Sequence, residues 1–149
     1  MDEQEIHENA QPNPSSDDKE LTLTEAAAKG KVERVRILLN QGVDPNSTDQ
    51  NGRTALQTMN WSYPEIAMML LEKGANPNPN PEVQDPDVGR TPLHDAVAYG
   101  TPDTVKCLLI AGADVTKTDI NGKTPYDLAV GRGNAEIIAS FITKPEIEV

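Results

Sequence analysis

Cysteine is almost absent: Cys107 is the only one in 149 residues, so no disulfide can form within the chain. The expectation that follows is a fold held by packing alone, in a reducing cytosol or nucleus. Long apolar runs are missing too. Stretches such as Ile66 to Leu71 fall far short of the roughly 18–20 residues that a membrane-crossing helix needs, so no such helix is expected. The first residues, Met1 to Glu5, are acidic and carry neither the basic nor the apolar part of a secretory signal, which again points to the cytoplasm and nucleus. Histidine is limited to His7 and His94. With one cysteine, that is too little to build a zinc site or a cysteine–histidine nucleophile, so the expectation is no metal, no cofactor and no enzymatic turnover. Positive charge is scarce, 13 Lys and Arg against 24 Asp and Glu, for a net charge of −11. Nucleic acids and anionic membranes are poor partners for such a chain, because phosphate contacts from Lys and Arg supply most of that affinity. A basic protein surface would be attracted to it.

Residues 1–20 combine acidic groups with Pro12, Pro14 and few apolar side chains, and read as a disordered tail. Beyond them the dominant signal is repetition. Thr91-Pro92-Leu93-His94 returns 33 residues later as Thr124-Pro125-Tyr126-Asp127, and Ala96 and Gly100 return at the same interval as Ala129 and Gly133. That period is the ankyrin period. A third copy begins at Gly52-Arg53-Thr54, and a fourth, without its opening turn, runs from Leu23 to Gly30. The fold class predicted is therefore all-α: an ankyrin-repeat solenoid of four helix-turn-helix repeats with β-hairpin-like finger loops. Its repeats occupy about 21–50, 51–83, 84–120 and 121–143, with a C-terminal tail at 144–149.

The chemistry of one unit explains why these residues recur. Thr91 can cap a helix, Pro92 tolerates its first position, and Ala96 and Ala98 keep the inner helix thin. Gly100 is expected to end that helix at positive φ. Val105, Leu108 and Leu109 lie on one face of an outer helix, as do Val35, Leu38 and Leu39, and Ile138, Phe141 and Ile142. Fingers close on Asn51-Gly52 and Asn121-Gly122. Two Asn-x-Ser/Thr triplets, at Asn46 and Asn60, read as chance. The stretch from Gly131 to Glu136 begins like a dinucleotide loop but lacks a third glycine and a preceding strand, so it reads as a repeat turn. Two irregularities stand out. The second repeat is one residue short, and Pro64 after Asn60-Trp61-Ser62-Tyr63 leaves room for about one helical turn. Residues 79–88 add a proline-rich acidic loop.

The shortened repeat from Gly52 to Ala67, together with His94-Asp95-Ala96-Val97-Ala98-Tyr99-Gly100 and Asp103-Thr104-Val105, resembles the ankyrin-repeat inhibitors of the cyclin D-dependent kinases. Ala26 to Val35 is similar as well, and the likeness spans roughly 21–143. The resemblance implies a monomer that grips a G1 kinase beside its ATP cleft, away from the cyclin, and restrains the cell cycle without chemistry of its own. The competing reading is a general ankyrin adaptor for another basic partner. The departures are the enlarged loop, Trp61 and Tyr99.

The same resemblance implies that Asp95 pairs with a kinase arginine, where a solvated or helix-capping aspartate is the plainer alternative. Glu25 is read as its counterpart in the first repeat. Asp103, Glu33, Met59 and the acid at Asp85 or Asp87 are secondary candidates by position. Trp61, Tyr63 and Tyr99 are candidate interface anchors, and Trp61 equally suits the gap left by the short helix. His94 is expected to tie repeats together by hydrogen bonds.

Overall fold

In the computed structural model, residues 20–79 and 89–142 are described. Residues 1–19 of the tail expected over 1–20, residues 80–88 of the enlarged loop and the C-terminal tail at 144–149 lie outside them. Four helix pairs stack in chain order. Their inner helices are α1 (Leu23–Ala28), α3 (Ala55–Thr58), α5 (Pro92–Tyr99) and α7 (Pro125–Arg132). The outer ones are α2 (Val32–Asn40), α4 (Glu65–Glu72), α6 (Pro102–Ala111) and α8 (Ala135–Ile142). Outer helices pack in series, α2 on α4, α4 on α6 and α6 on α8, while α1 packs on α3 and α5 on α7. Among the described residues there is no strand, only an isolated antiparallel bridge between Thr48 and Thr54 at the base of a finger.

Every inner helix starts the same way. Thr22, Thr54, Thr91 and Thr124 hold extended backbone, and the residue three positions on folds back to accept the threonine N–H. The acceptors are Glu25 at 3.0 Å, Gln57 at 2.8 Å, His94 at 3.1 Å and Asp127 at 3.0 Å. Such reciprocal caps satisfy donors that a helix start otherwise leaves without partners. Behind them Ala26, Ala27, Ala55, Ala96 and Ala129 are wholly buried, which lets neighbouring helices approach closely.

Hydrogen bonds then join repeat to repeat. The Asn46 amide donates to the Gly74 carbonyl at 3.2 Å and its oxygen accepts from Asn76 N–H. Asn78 does the same with Gly112 and Asp114, at 3.0 and 2.7 Å. The Asn46 side chain is thus spent on the stack, in keeping with its triplet being a coincidence of sequence. Buried His94 accepts from Thr91 N–H through Nδ1, so its Nε2 carries the hydrogen and donates to the Lys123 carbonyl of the next finger at 2.9 Å.

The second inner helix is a single turn, as Pro64 foretells. After Thr58 the backbone turns extended at Met59, and Asn60 N–H bonds Ala27 O of the preceding repeat at 2.9 Å. Trp61, 9% exposed, fills the space where further helical turns would lie. Gly100 corrects the expectation of positive φ: its φ is −93°. Its requirement is room, since a Cβ there would sit 2.8 Å from Ala96 O and 3.3 Å from the Trp61 ring. Gly30 does need positive φ, at 72°, and the Tyr63 ring lies where its Cβ would be. The last helix corrects a second expectation. Ile138 and Phe141 pack partly buried against the core as expected, beside the fully buried Ile137 and Ser140, while Ile142 is exposed. Ile142 belongs to the last described unit, and among the described residues nothing packs beyond it; Tyr126 and Val130 are likewise exposed where Leu93 and Val97 are buried one repeat earlier.

Replacing Asn46 with alanine removes two inter-repeat hydrogen bonds and is expected to lower the unfolding free energy by about 1–3 kcal/mol in urea titrations. Gly30→Ala is expected to cost at least the roughly 1–2 kcal/mol of forcing a Cβ into left-handed backbone, because the Tyr63 ring must also move. An unchanged urea midpoint for either variant would contradict the contact assigned to it.

Candidate functional site: the inner-helix face

Asp95 sits four residues into α5, one turn below Tyr99. Neither stands alone. Arg90 Nε donates to Asp95 Oδ1 at 2.8 Å, and the guanidinium carbon lies 5.8 Å from the centre of the Tyr99 ring. A longer contact, 3.5 Å, runs from the guanidinium to the His94 carbonyl. The Arg90 and Asp95 side chains are 22% and 16% exposed, whereas Tyr99 is 65% exposed. A carboxylate, a cation and an aromatic face therefore share one spot, the cation held electrostatically by both.

Beside that spot, Met59, Asn60, Trp61, Ser62, Ala98 and Tyr99 line a shallow groove between the second and third repeats. Only its rim is open at Met59 and Trp61, which are 5% and 9% exposed and belong to the core. Between the two readings of Trp61, its packing against Gly100 favours the structural one. Tyr63 is partly exposed and lies over Gly30, away from Asp95 and facing the first repeat.

The expectation for Glu25 requires correction. The capping register aligns Glu25 with Gln57, His94 and Asp127, whereas the positions equivalent to Asp95 hold Ala26, Thr58 and Leu128. Its carboxylate accepts Thr22 N–H while still bordering a polar groove formed with Thr24, Asp49, Gln50, Asn51 and Arg53. Glu33 and Asp103 are on the outer helices: Glu33 pairs with Arg36 at 2.9 Å, and exposed Asp103 borders a separate groove with Lys106 and Glu136. Neither joins Asp95. Asp85 and Asp87 lie outside the described residues.

Three functional groups escaped the sequence reading. Asp49 and Asp119 each gather two backbone N–H groups of their finger, from Asn51 and Arg53 at 2.8 and 2.9 Å, and from Asn121 and Lys123, both at 2.9 Å. Their signal was available as Asp-x-Asn-Gly-Arg/Lys-Thr, present at 49–54 and 119–124. The third is Arg90. Its counterpart Arg53 contacts Asp49 four residues back at 3.4 Å. Four residues before Arg90 the sequence has Pro86, and the Arg90 guanidinium bonds Asp95.

These bonds set the charge states of the fingers. Asp49 is held below the usual carboxylate range by the Arg53 N–H first and the Asn51 N–H after it, against the opposing effect of burial. Asp119 is lowered by the Lys123 N–H, then Asn121, with Arg90 adding its attraction, against the opposing effect of burial. The Thr124 N–H, then its hydroxyl, lowers Asp127, and the Thr116 hydroxyl, then its N–H, lowers Asp114. Burial, with the Asp103 carboxylate behind it, pushes the Cys107 thiol up, which makes it a poor nucleophile. Among the described residues no three His, Cys, Asp or Glu side chains group as metal ligands.

Residues 4–81 and again 77–149 match the family described as ankyrin repeats, in three copies. Cyclin-dependent kinase 4 inhibitor B of Homo sapiens is 40% identical over 124 residues, covering 83% of this chain and 87% of that protein. The Rattus norvegicus protein of the same name is 41% identical over 77% of this chain and 85% of its own length. Cyclin-dependent kinase inhibitor 2A of Homo sapiens is 39% identical over 77% and 71%.

The lowered finger aspartates favour the folded state wherever they are ionised. That contribution is fully present above the ordinary carboxylate pKa, about 4, and is lost as pH falls through their lower folded values. Denaturant midpoints are expected to hold steady down to about pH 5 and drop below about pH 4. Asp49→Asn with Asp119→Asn, which keep the accepting oxygen but not the charge, should flatten the drop; an identical profile would show that other groups govern it.

Proposed function

The chain belongs to the ankyrin-repeat family of cyclin-dependent kinase inhibitors, and on that premise we propose that it restrains a cyclin-dependent kinase by binding it. The observation that carries this reading is the 39–40% identity, over 77–83% of the chain, to proteins named as such inhibitors. Like those relatives it is a regulatory protein rather than an enzyme.

In finer detail, the client is a G1 kinase of the cyclin D-dependent class, and the protein acts as a monomer in cytoplasm and nucleus. The inner-helix face, with Asp95 at its centre, docks beside the ATP cleft on the side away from the cyclin. There it stabilises a misaligned arrangement of the two kinase lobes that holds ATP and cyclin poorly. Inhibition of this kind is a population shift, bounded by how much more tightly the inhibitor binds the distorted kinase than the active one. The acidic balance of the chain suits a basic patch on the client and speeds encounter.

Purified protein is expected to capture monomeric G1 kinases and leave a mitotic-type kinase in solution; equal capture of both, or of neither, would refute the assignment. Asp95→Asn is expected to weaken G1 kinase binding at least tenfold, about 1.4 kcal/mol, with the helical circular dichroism retained.

A further inference from the structure

The arginine that precedes each inner helix has two different jobs in this chain. In the second repeat Arg53 braces its own finger through Asp49. In the third, where Pro86 replaces that aspartate, Arg90 bonds Asp95 and lies against Tyr99. Asp95 does not need this bond to hold its position, for it is a short side chain with two rotatable bonds, carried on an eight-residue helix whose start is fixed by the Thr91–His94 cap. The bond therefore does little to aim Asp95. Its main effect is to occupy the carboxylate, and with both side chains mostly withdrawn from water the pair is stronger than an exposed one.

We infer that Arg90 is a specificity-determining residue of this surface, an internal competitor that an incoming guanidinium must displace from Asp95. The inference rests on the proposed docking of a kinase arginine at Asp95. An arginine supplied by the client replaces the pairing with a forked bidentate one and succeeds only when surrounding contacts supplement the exchange. A lysine, a point charge without the fork, gains nothing by the exchange. Arg90 stays on the Tyr99 face after displacement, because the ring is exposed and attracts the cation independently of Asp95. The competitor thus raises the threshold for binding and filters out weakly matched basic surfaces.

Kinase binding is measured for the parent, for Arg90→Ala and Arg90→Gln, and for each of these in an Asp95→Asn background, with circular dichroism confirming the fold. With Asp95 present, both Arg90 variants are expected to bind the G1 kinase about three- to tenfold more tightly than the parent, and in the Asp95→Asn background to make no difference. Unchanged or weaker binding with Asp95 intact would overturn the inference. A parallel carboxylate NMR titration with N-acetyl-arginine amide needs no kinase. The Asp95 signal should move at lower probe concentration in Arg90→Gln than in the parent, and equal titration curves would overturn the inference. If no form binds kinase while the NMR difference persists, the kinase assignment fails and the competition at Asp95 stands.

Discussion

No helix pair in this chain can cover its own apolar side, so every other feature depends on the contact between one repeat and the next. Leu93, Ala96, Val97 and Leu108 are buried, whereas Tyr126, Val130 and Ile142 in the last described unit are exposed. The polar groups are recruited to the same contact. Asn46 and Asn78 join successive turns, and His94 reaches from its cap to the following finger. Stability in such an array is a sum of unit and neighbour terms, so losing one of these ties weakens the neighbouring repeats rather than one local spot.

The single-turn α3 follows from that dependence. A chain that stops being helical at Met59 leaves backbone groups to satisfy and volume to fill. The Asn60 N–H finds Ala27 O in the first repeat, and the Trp61 ring reaches Gly100 in the third. The irregular unit is thereby tied on both sides. The deviation also shapes the surface, where Asn60, Trp61 and Ser62 line a shallow groove that Tyr99 borders.

Charge is used in two ways. Asp49 and Asp119 are consumed by their own fingers, each collecting two N–H groups and forming part of the frame. Asp95 is different: it is engaged by a side chain that can leave. In the kinase-binding reading, the distinction decides which carboxylates attract a partner in general and which one tests its geometry. A net charge of −11 draws basic surfaces broadly, and selectivity has to come from a site where binding displaces something.

The repeat architecture was legible in the residues themselves, since a 33-residue period carried by Thr-Pro, alanine and glycine reports local requirements for caps, thin helices and turns. The interruption by Pro64 was legible for the same reason, because proline constrains the backbone of its immediate neighbour. What could not be read were properties set by neighbours. Glu25 was matched to Asp95 because both are acids near a helix start, and only the capping register separates them. Gly100 looked like a positive-φ stop, yet its limit is room, set first by Ala96 O of its own helix and then by the Trp61 ring from another repeat. Trp61 itself was undecided until its burial was known, and Ile142 is exposed although Ile138 and Phe141 on the same helix pack against the core. Arg90 was passed over because its partner, Asp95, lies five residues on in the next helix and is met only when the chain folds. Local backbone preference is written along the chain, whereas which side chain meets which, and which charge is already taken, is decided only when the repeats close on one another.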